Sequence, residues 1–262
     1  MMTWLPRRAA KLLRLNKLYG LIGTFGSPFR GVYESWEEAR EAIPTGQKIG
    51  YNHPEMASKE LQYTKHLRLS DYAALFWMNT AIMESSSVFD LGGNIGVACY
   101  AFENYLRYPT YLRWIVCDLP EIMRFGKELA QERNMTRLVF TESFREAEGA
   151  DILLTAGTLQ CMETSLSSIL AQLRDKPKHL LVNRLPLYDG KAFCTVRYLP
   201  PVVLIYRVFN RKEFVDSIYK HGYQLIDSWE ISEPTSGICV IPFRPDKAVQ
   251  AYSGLYFRLN GS

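Results

Sequence analysis

An α/β fold is what this sequence predicts: a seven-stranded, mostly parallel sheet with helices on both faces and an N-terminal helical extension. Three observations carry that expectation. From residue 87 onward, short apolar runs alternate with stretches of helical spacing, the pattern of repeated βαβ units. The first of those runs ends in a glycine turn that leads straight into a helix, the arrangement that makes a ligand site at the end of a buried strand. The chain has 262 residues, 47% of them hydrophobic, enough for one large domain with an added segment.

The elements follow in order. Residues 4–22 place Leu5, Ala9, Leu12 and Tyr19 on one side of a helical wheel and Arg7, Lys11 and Arg14 on the other. One reading is a helix lying on an anionic membrane surface; packing on its own domain, or a tail, is the alternative. Residues 1–33 hold six of the 31 basic residues and none of the 27 acidic ones. The rest of the chain is therefore close to neutral and is not a nucleic-acid binder by composition. Gly23 to Gly31 reads as a linker. Ser35 and Glu38 form a capping-box pattern, so a short helix is expected from there to Ile43, before Pro44. Residues 55–83 read as one or two helices, with Leu69, Tyr72, Ala73, Phe76, Trp77 and Thr80 at helical spacing.

Strands are expected at 87–92, 112–118, 138–142, 150–157 and 178–185, and helices near 95–107, 120–133, 163–174 and 211–221. Strands near 223–231 and 254–259 complete the sheet. Right-handed crossovers put the strand ends on one edge. No apolar run reaches membrane-spanning length. The five cysteines include no C-x-x-C pair, which suggests a reducing, cytoplasmic setting. The four histidines show no metal-ligand spacing, so no metal is expected.

The turn itself narrows the ligand. Dinucleotide binding asks for G-x-G-x-x-G, which neither Gly92 nor Gly93 can begin. The segment instead reads as Asp90, Gly92, Asn94 and Gly96: an acid followed by G-x-(small)-x-G. It resembles the first motif of the class I S-adenosylmethionine (SAM) dependent methyltransferases, with Asn94 at the usual place of the middle glycine. Asparagine tolerates the left-handed backbone better than most residues. The resemblance implies a Rossmann-like methyltransferase fold and SAM as cofactor, with Asp90, Gly92, Gly93, Asn94 and Gly96 at its methionine end.

Asp118 ends the second strand, 22 residues after Gly96. An acid there can accept hydrogen bonds from both ribose hydroxyls; capping the helix that starts at Pro120 is the other reading. The Asp118-Leu119-Pro120 triplet is similar to plant-type small-molecule O-methyltransferases. The resemblance further implies Ser143 and Phe144 at the adenine, with Glu142 one position from an expected acid; a simple surface turn is the alternative for this segment. Thr155, Ala156 and Gly157 would face the methyl group. The plant-type enzymes carry a histidine base about where Gln160 stands. Glutamine cannot take a proton at neutral pH, which leaves it orienting an acceptor hydroxyl.

The Leu159-Gln160 exit, the segment from Val32 to Ala39 and Asn183-Arg184-Leu185-Pro186 together resemble a bacterial family of methyltransferases associated with surface polysaccharide biosynthesis, over about residues 30–260. Residues 1–30 read as a basic helix and linker; by this resemblance 31–85 is a helical cover at the acceptor site and 86–262 the SAM-binding catalytic domain. Arg184 would bind a phosphate or carboxylate of the acceptor, or form a surface salt bridge. Tyr198 and Tyr206, in a long apolar connection interrupted by prolines, would line the acceptor pocket or belong to the core. His53 and His66 are the candidate bases in the cover, each with a structural role as the alternative.

The function expected is methyl transfer to an oxygen of a sugar or small hydroxylated metabolite. Transfer to carbon or nitrogen, a natural-product acceptor, and a binding subunit without catalysis are the alternatives. The expected partner is a small-molecule or glycan acceptor.

Overall fold

The computed structural model describes residues 27–232, 239, 241, 244–249 and 251–261. The helix expected at 4–22 lies outside the described residues.

Seven strands form the main sheet: β2 (Ser87–Leu91), β3 (Arg113–Cys117), β4 (Leu138–Thr141), β5 (Ile152–Ala156), β6 (His179–Leu185), β10 (Tyr223–Ile231) and β11 (Tyr252–Leu259). Their spatial order is β10-β11-β6-β5-β2-β3-β4. Strands β2 to β6 pair in parallel, and β11 is antiparallel to both its neighbours. The chain leaves β2 toward β3 and β4, then returns to β5 on the other side of β2. The order therefore reverses between β2 and β5, the switch point where ligands bind in such sheets.

Register aligns the strand ends. Leu91 pairs with both Cys117 and Thr155, and Cys117 with Thr141. The residues that follow, Gly92, Asp118, Glu142 and Ala156, share one edge. Both faces of the sheet are covered. Ile95, Cys99, Phe102 and Trp114 belong to the core on one face, and Leu153, Leu166, Ile169 and Phe214 to the core on the other. Buried on both faces, β2, β3 and β5 read as continuous apolar runs rather than as alternation.

The region before β2 differs from the expected helical cover. It opens with strand β1 (Phe29–Tyr33), which runs through the end of the expected linker. Helices α1 (Trp36–Glu41), α2 (Pro54–Glu60) and α3 (Asp71–Ile82) follow. Ser35 caps α1, accepting from the Glu38 amide at 3.1 Å, while the Glu38 carboxylate reaches back to the Glu34 amide at 2.8 Å. The expected stripe is split: Leu69, just before α3, and Tyr72 and Phe76 on it are exposed, while Trp77 stacks on Tyr256 and the buried positions are Ala74, Met78, Ala81 and Ile82. The two alanines let the helix approach β6 and β11 closely, and an ion pair at Asp71 fixes its rotation.

The apolar connection after residue 186 is a second sheet. Strands β7 (Leu187–Tyr188), β8 (Phe193–Leu199) and β9 (Val202–Asn210) join β1 in the order β1-β8-β9-β7. The prolines read as an interruption, Pro200 and Pro201, form the tight turn between β8 and β9. Tyr206 is fully buried in this sheet's core. Helices α4 (Val97–Glu103), α5 (Pro120–Glu132), α6 (Leu166–Leu170) and α7 (Arg211–Tyr219) complete the chain.

Candidate active site

A cavity of about 640 Å³ lies where the switch point of the main sheet meets α2, α3 and the β8–β9 hairpin. Its size suits a small-molecule site.

The glycine turn forms its floor. Gly92 and Asn94 have φ of 69° and 56°, so the left-handed turn closes with asparagine at its centre. A Cβ on Gly93 would stand 2.4 Å from the Asp90 carboxyl carbon, and one on Gly92 would stand 2.1 Å from the Thr158 side chain. No other residue fits at either place without displacement. Gly96, at φ 87°, caps α4 and packs on Leu138 rather than lining the cavity.

Two carboxyls stand beside this turn. Asp118 accepts from the Asn94 amide at 2.8 Å and from the Leu119 amide at 2.7 Å, one bond to each oxygen. These bonds tie the end of β3 to the glycine turn. The N-cap position of α5 belongs to Leu119. An ionised carboxylate has about four acceptor sites, so Asp118 keeps two to spare. It opens onto the cavity, yet lies deep enough that desolvation pushes its pKa up to about 6 against those backbone bonds. Asp90 is fully buried. It accepts from the Trp114 indole N–H at 3.0 Å. Desolvation, opposed by that bond, pushes its pKa up to about 7.

The wall opposite is held by Asp71, Asn183 and Arg184. Arg184 donates to the Asp71 carboxylate at 2.6 Å and to the Ala156 carbonyl at 2.8 Å. Asn183 donates to the same carboxylate at 3.0 Å and to the Ser70 carbonyl at 3.1 Å. The Arg184 side chain lies 3.1 Å from where a Gly157 Cβ would be. Arg184 is therefore part of a buried ion pair that pins α3 to the exits of β5 and β6.

The other expected residues divide. Leu119, Phe144, Ala156, Gly157 and Gln160 line the cavity. Gln160 donates to the Arg184 carbonyl at 3.3 Å, and its Oε1 is buried with no hydrogen-bond partner. Ser143 is exposed, with its amide bonded to the Thr141 hydroxyl. Thr155 is buried behind the wall, and its hydroxyl has no partner. Neither histidine lines the cavity. His53 is the N-cap of α2 and accepts from the Glu55 amide at 3.3 Å, while His66 is exposed in a turn. Tyr206 turns its hydroxyl to Tyr252 at 2.8 Å, and Tyr198 packs with Tyr33 against α1. Among the described residues, no cluster of His, Cys, Asp or Glu could hold a metal ion, and no helix is long and apolar enough to cross a membrane.

No protein-family model matches the chain, and no curated protein matches it in sequence. Solved structures do match. One is the Burkholderia thailandensis 1,6-didemethyltoxoflavin-N1-methyltransferase with bound 1,6-didemethyltoxoflavin and S-adenosylhomocysteine. It is 15% identical, with a TM-score of 0.53 over 99% of this chain and 93% of that one. Another is assigned as a SAM-dependent methyltransferase of Listeria monocytogenes. It is 12% identical, with a TM-score of 0.51 over 72% of this chain and 98% of its own. The fold is that of the class I SAM-dependent methyltransferases.

Within that methyltransferase fold, Tyr51, Tyr63, Arg68, Arg197 and Tyr252 also line the cavity. None was expected from the sequence. Asp90 carries a prediction of its own. Its carboxyl stays protonated in the folded protein up to about pH 7, whereas its ordinary pKa is 3.8. Between those limits the native state binds the extra proton, so stability falls as pH rises and levels off above about 7. Asp90→Asn cannot ionise, and its amide oxygen can still accept from Trp114. The variant is expected to be more stable than the parent at pH 8, by an amount on the order of 2–4 kcal/mol, and equal to it near pH 4. Urea unfolding across that range measures the difference. Parallel curves for the two proteins would refute it.

Proposed function

We propose that the chain is a SAM-dependent methyltransferase acting on an oxygen of a small hydroxylated acceptor, a sugar among the candidates. The observation that carries this reading is the Asp118 carboxylate. It is held by two backbone amides beside a turn that excludes side chains, with two acceptor sites left for a pair of vicinal hydroxyls. That is a fit to the ribose of SAM. Gly92, Gly93 and Asn94 would pass under the methionine part, and Phe144 would face the adenine.

When bound, SAM would supply a methyl group on a sulfonium: the acceptor oxygen would take the methyl, the sulfur would leave as a neutral thioether, and the hydroxyl proton would pass to water in the open cavity. The protein's part is alignment, because closeness and orientation supply much of the rate in such a displacement. Gln160 presents a buried, unsatisfied oxygen at the β5 exit, suited to accept from the acceptor hydroxyl and aim its lone pair. Asp71 and Arg184 fix the wall behind it. The placements of His53 and His66 favour neither as a base. Surface polysaccharide biosynthesis remains part of the proposal on the sequence resemblance, a cytoplasmic location on the cysteine usage, and membrane contact through residues 4–22 on the amphipathic basic pattern of that segment.

Two measurements test the reading. Calorimetric titration with S-adenosylhomocysteine should show micromolar binding by the full chain. Incubation with methyl-labelled SAM and a panel of hydroxylated sugars and phenols should transfer label to one class. A folded protein that binds no S-adenosylhomocysteine would refute it.

A further inference from the structure

Among the described residues, four cationic side chains reach the cavity, and three of them are engaged. Arg68 pairs with Glu60 and lies over the Tyr63 ring, at 3.7 Å from its centroid. Arg184 pairs with Asp71. Lys59 donates to the Pro200 carbonyl. Arg197, on β8, is different. No described carboxylate lies within ion-pair distance of it, and its Nε is buried without a hydrogen-bond partner.

Among the described residues, its surroundings offer no counter-charge. The guanidinium carbon lies 5.5 Å from the Phe29 ring centroid and 5.9 Å from that of Tyr206. Tyr252 and Cys161 also line the cavity and feel its field, as does the buried Cys239. All of these acids are neutral near pH 7. Burial pushes the Cys161 thiol up to about 11 and the Cys239 thiol up to about 12, and raises both tyrosines. A part-buried guanidinium with neutral neighbours and an unpaired N–H is costly to hold. The two rings keep it flat and oriented, which is the preparation that makes an arginine a fork for planar anions.

The place is also informative. Cys161, which follows Gln160 at the β5 exit, feels the Arg197 charge, and both residues line the cavity. Leu199 and Leu204 of the same hairpin line the cavity next to it. An entering molecule would meet apolar surface, the Arg197 fork and, at the hairpin turn, the exposed Lys59 ammonium, which is a point charge rather than a fork.

We infer that Arg197 anchors an anionic group, a carboxylate or a phosphate, on the molecule that enters the β8–β9 side of the cavity. This deepens the methyltransferase reading and rests on it: the acceptor is then an acid or a phosphate ester rather than a neutral alcohol. The anion forms charge-assisted hydrogen bonds to the fork, bidentate where geometry allows.

The test uses the full chain with three probes: benzoate, phenyl phosphate and neutral benzamide. Each is titrated by calorimetry, with and without saturating S-adenosylhomocysteine. The expected result is that one anion binds at least about tenfold more tightly than benzamide. Benzoate ahead of phenyl phosphate marks a carboxylate acceptor, and the reverse marks a phosphate. Arg197→Gln should erase the preference and leave S-adenosylhomocysteine affinity unchanged. Arg197→Lys keeps the charge without the fork and should retain part of it, and it serves where the glutamine variant does not fold. Equal binding of anions and benzamide, binding of neither anion, or a preference that survives Arg197→Gln would overturn the inference. A purely structural role would lower the melting temperature and leave the preference intact, which overturns it as well. Failure to bind S-adenosylhomocysteine would strike the methyltransferase reading alone, because the titrations without it still report on Arg197.

Discussion

Replacing Asp118 by alanine is expected to weaken S-adenosylhomocysteine binding by about a hundredfold or more. Hydrogen bonds to a charged group are each worth roughly 1.5–3 kcal/mol, and every 1.4 kcal/mol is about tenfold in affinity. Two ribose hydroxyls on one carboxylate therefore reach a hundredfold at the low end of that range. The substitution also frees the Asn94 and Leu119 amides that the carboxylate now holds, so the glycine turn is tied to the end of β3 only by the bond from the Gly92 amide to the Cys117 carbonyl. The backbone pairing of the surrounding strands is untouched, which keeps the fold intact. Asp118→Asn retains one acceptor oxygen and should fall between. The pH dependence has a definite sign. With a pKa pushed up to about 6, the carboxyl of the free protein takes up a proton as pH falls through that value. A ligand that needs the ionised form then binds more weakly, and its binding at pH 6 releases about half a proton. Titrations at pH 5.5 and 8 in buffers of different ionisation heat check both points. An alanine variant that binds as well as the parent would place the ribose elsewhere.

The half of the molecule that carries this carboxylate was legible in the sequence because its signals are local. Val88 to Gly96 holds a strand, a turn and a helix start within one short run, and each of its glycines answers to a steric need that only the glycine turn has. The strands from 87 to 185 lie within a residue or two of their expected ends, since a both-faces-buried strand flanked by turn residues has few other readings. The hairpin of β8 and β9 failed for the complementary reason. Val202 to Tyr206 is buried on every side and shows no alternation, and Pro200-Pro201 reads as a break whether or not the chain doubles back. Gly31, pressed against the Tyr33 ring, made β1 look like linker. The acceptor side of the cavity was hidden by distance. Tyr51, Arg68, Arg197 and Tyr252 come from four separate parts of the chain, and nothing in their neighbours marks them. Arg184 shows the limit most clearly. The sequence placed it correctly at the end of β6, but its partner Asp71 lies 113 residues away, so its role as a strut for α3 could be seen only in three dimensions.

That strut is where the largest loss of stability is expected. Asp71→Ala should destabilise the protein by about 3–5 kcal/mol, the cost of leaving one member of a buried pair without its partner. The Asp71 and Arg184 side chains retain 10% and 16% of their accessible surface, so solvent screening offers little relief. Two donors are orphaned at once, because Asn183 uses the same carboxylate oxygen. Arg184 is held meanwhile at φ 55°, a left-handed backbone that a non-glycine residue keeps only when its surroundings fix it. Loosening it also loosens Gly157 and the Gln160 contact with the Arg184 carbonyl. The consequence for function follows from that geometry. Asp118 and the glycine turn lie across the cavity, so S-adenosylhomocysteine affinity should change little at temperatures where the variant is folded. Turnover should suffer more, because the wall that positions the acceptor is the part that moves. Asp71→Asn keeps an oxygen for Asn183 and Arg184 and should lose about half as much stability. Urea unfolding gives the first quantity, and calorimetry beside labelled methyl transfer gives the second. If Asp71→Ala unfolds at the parent's urea midpoint, the pair is an ornament of the cavity and α3 is held by its alanines alone.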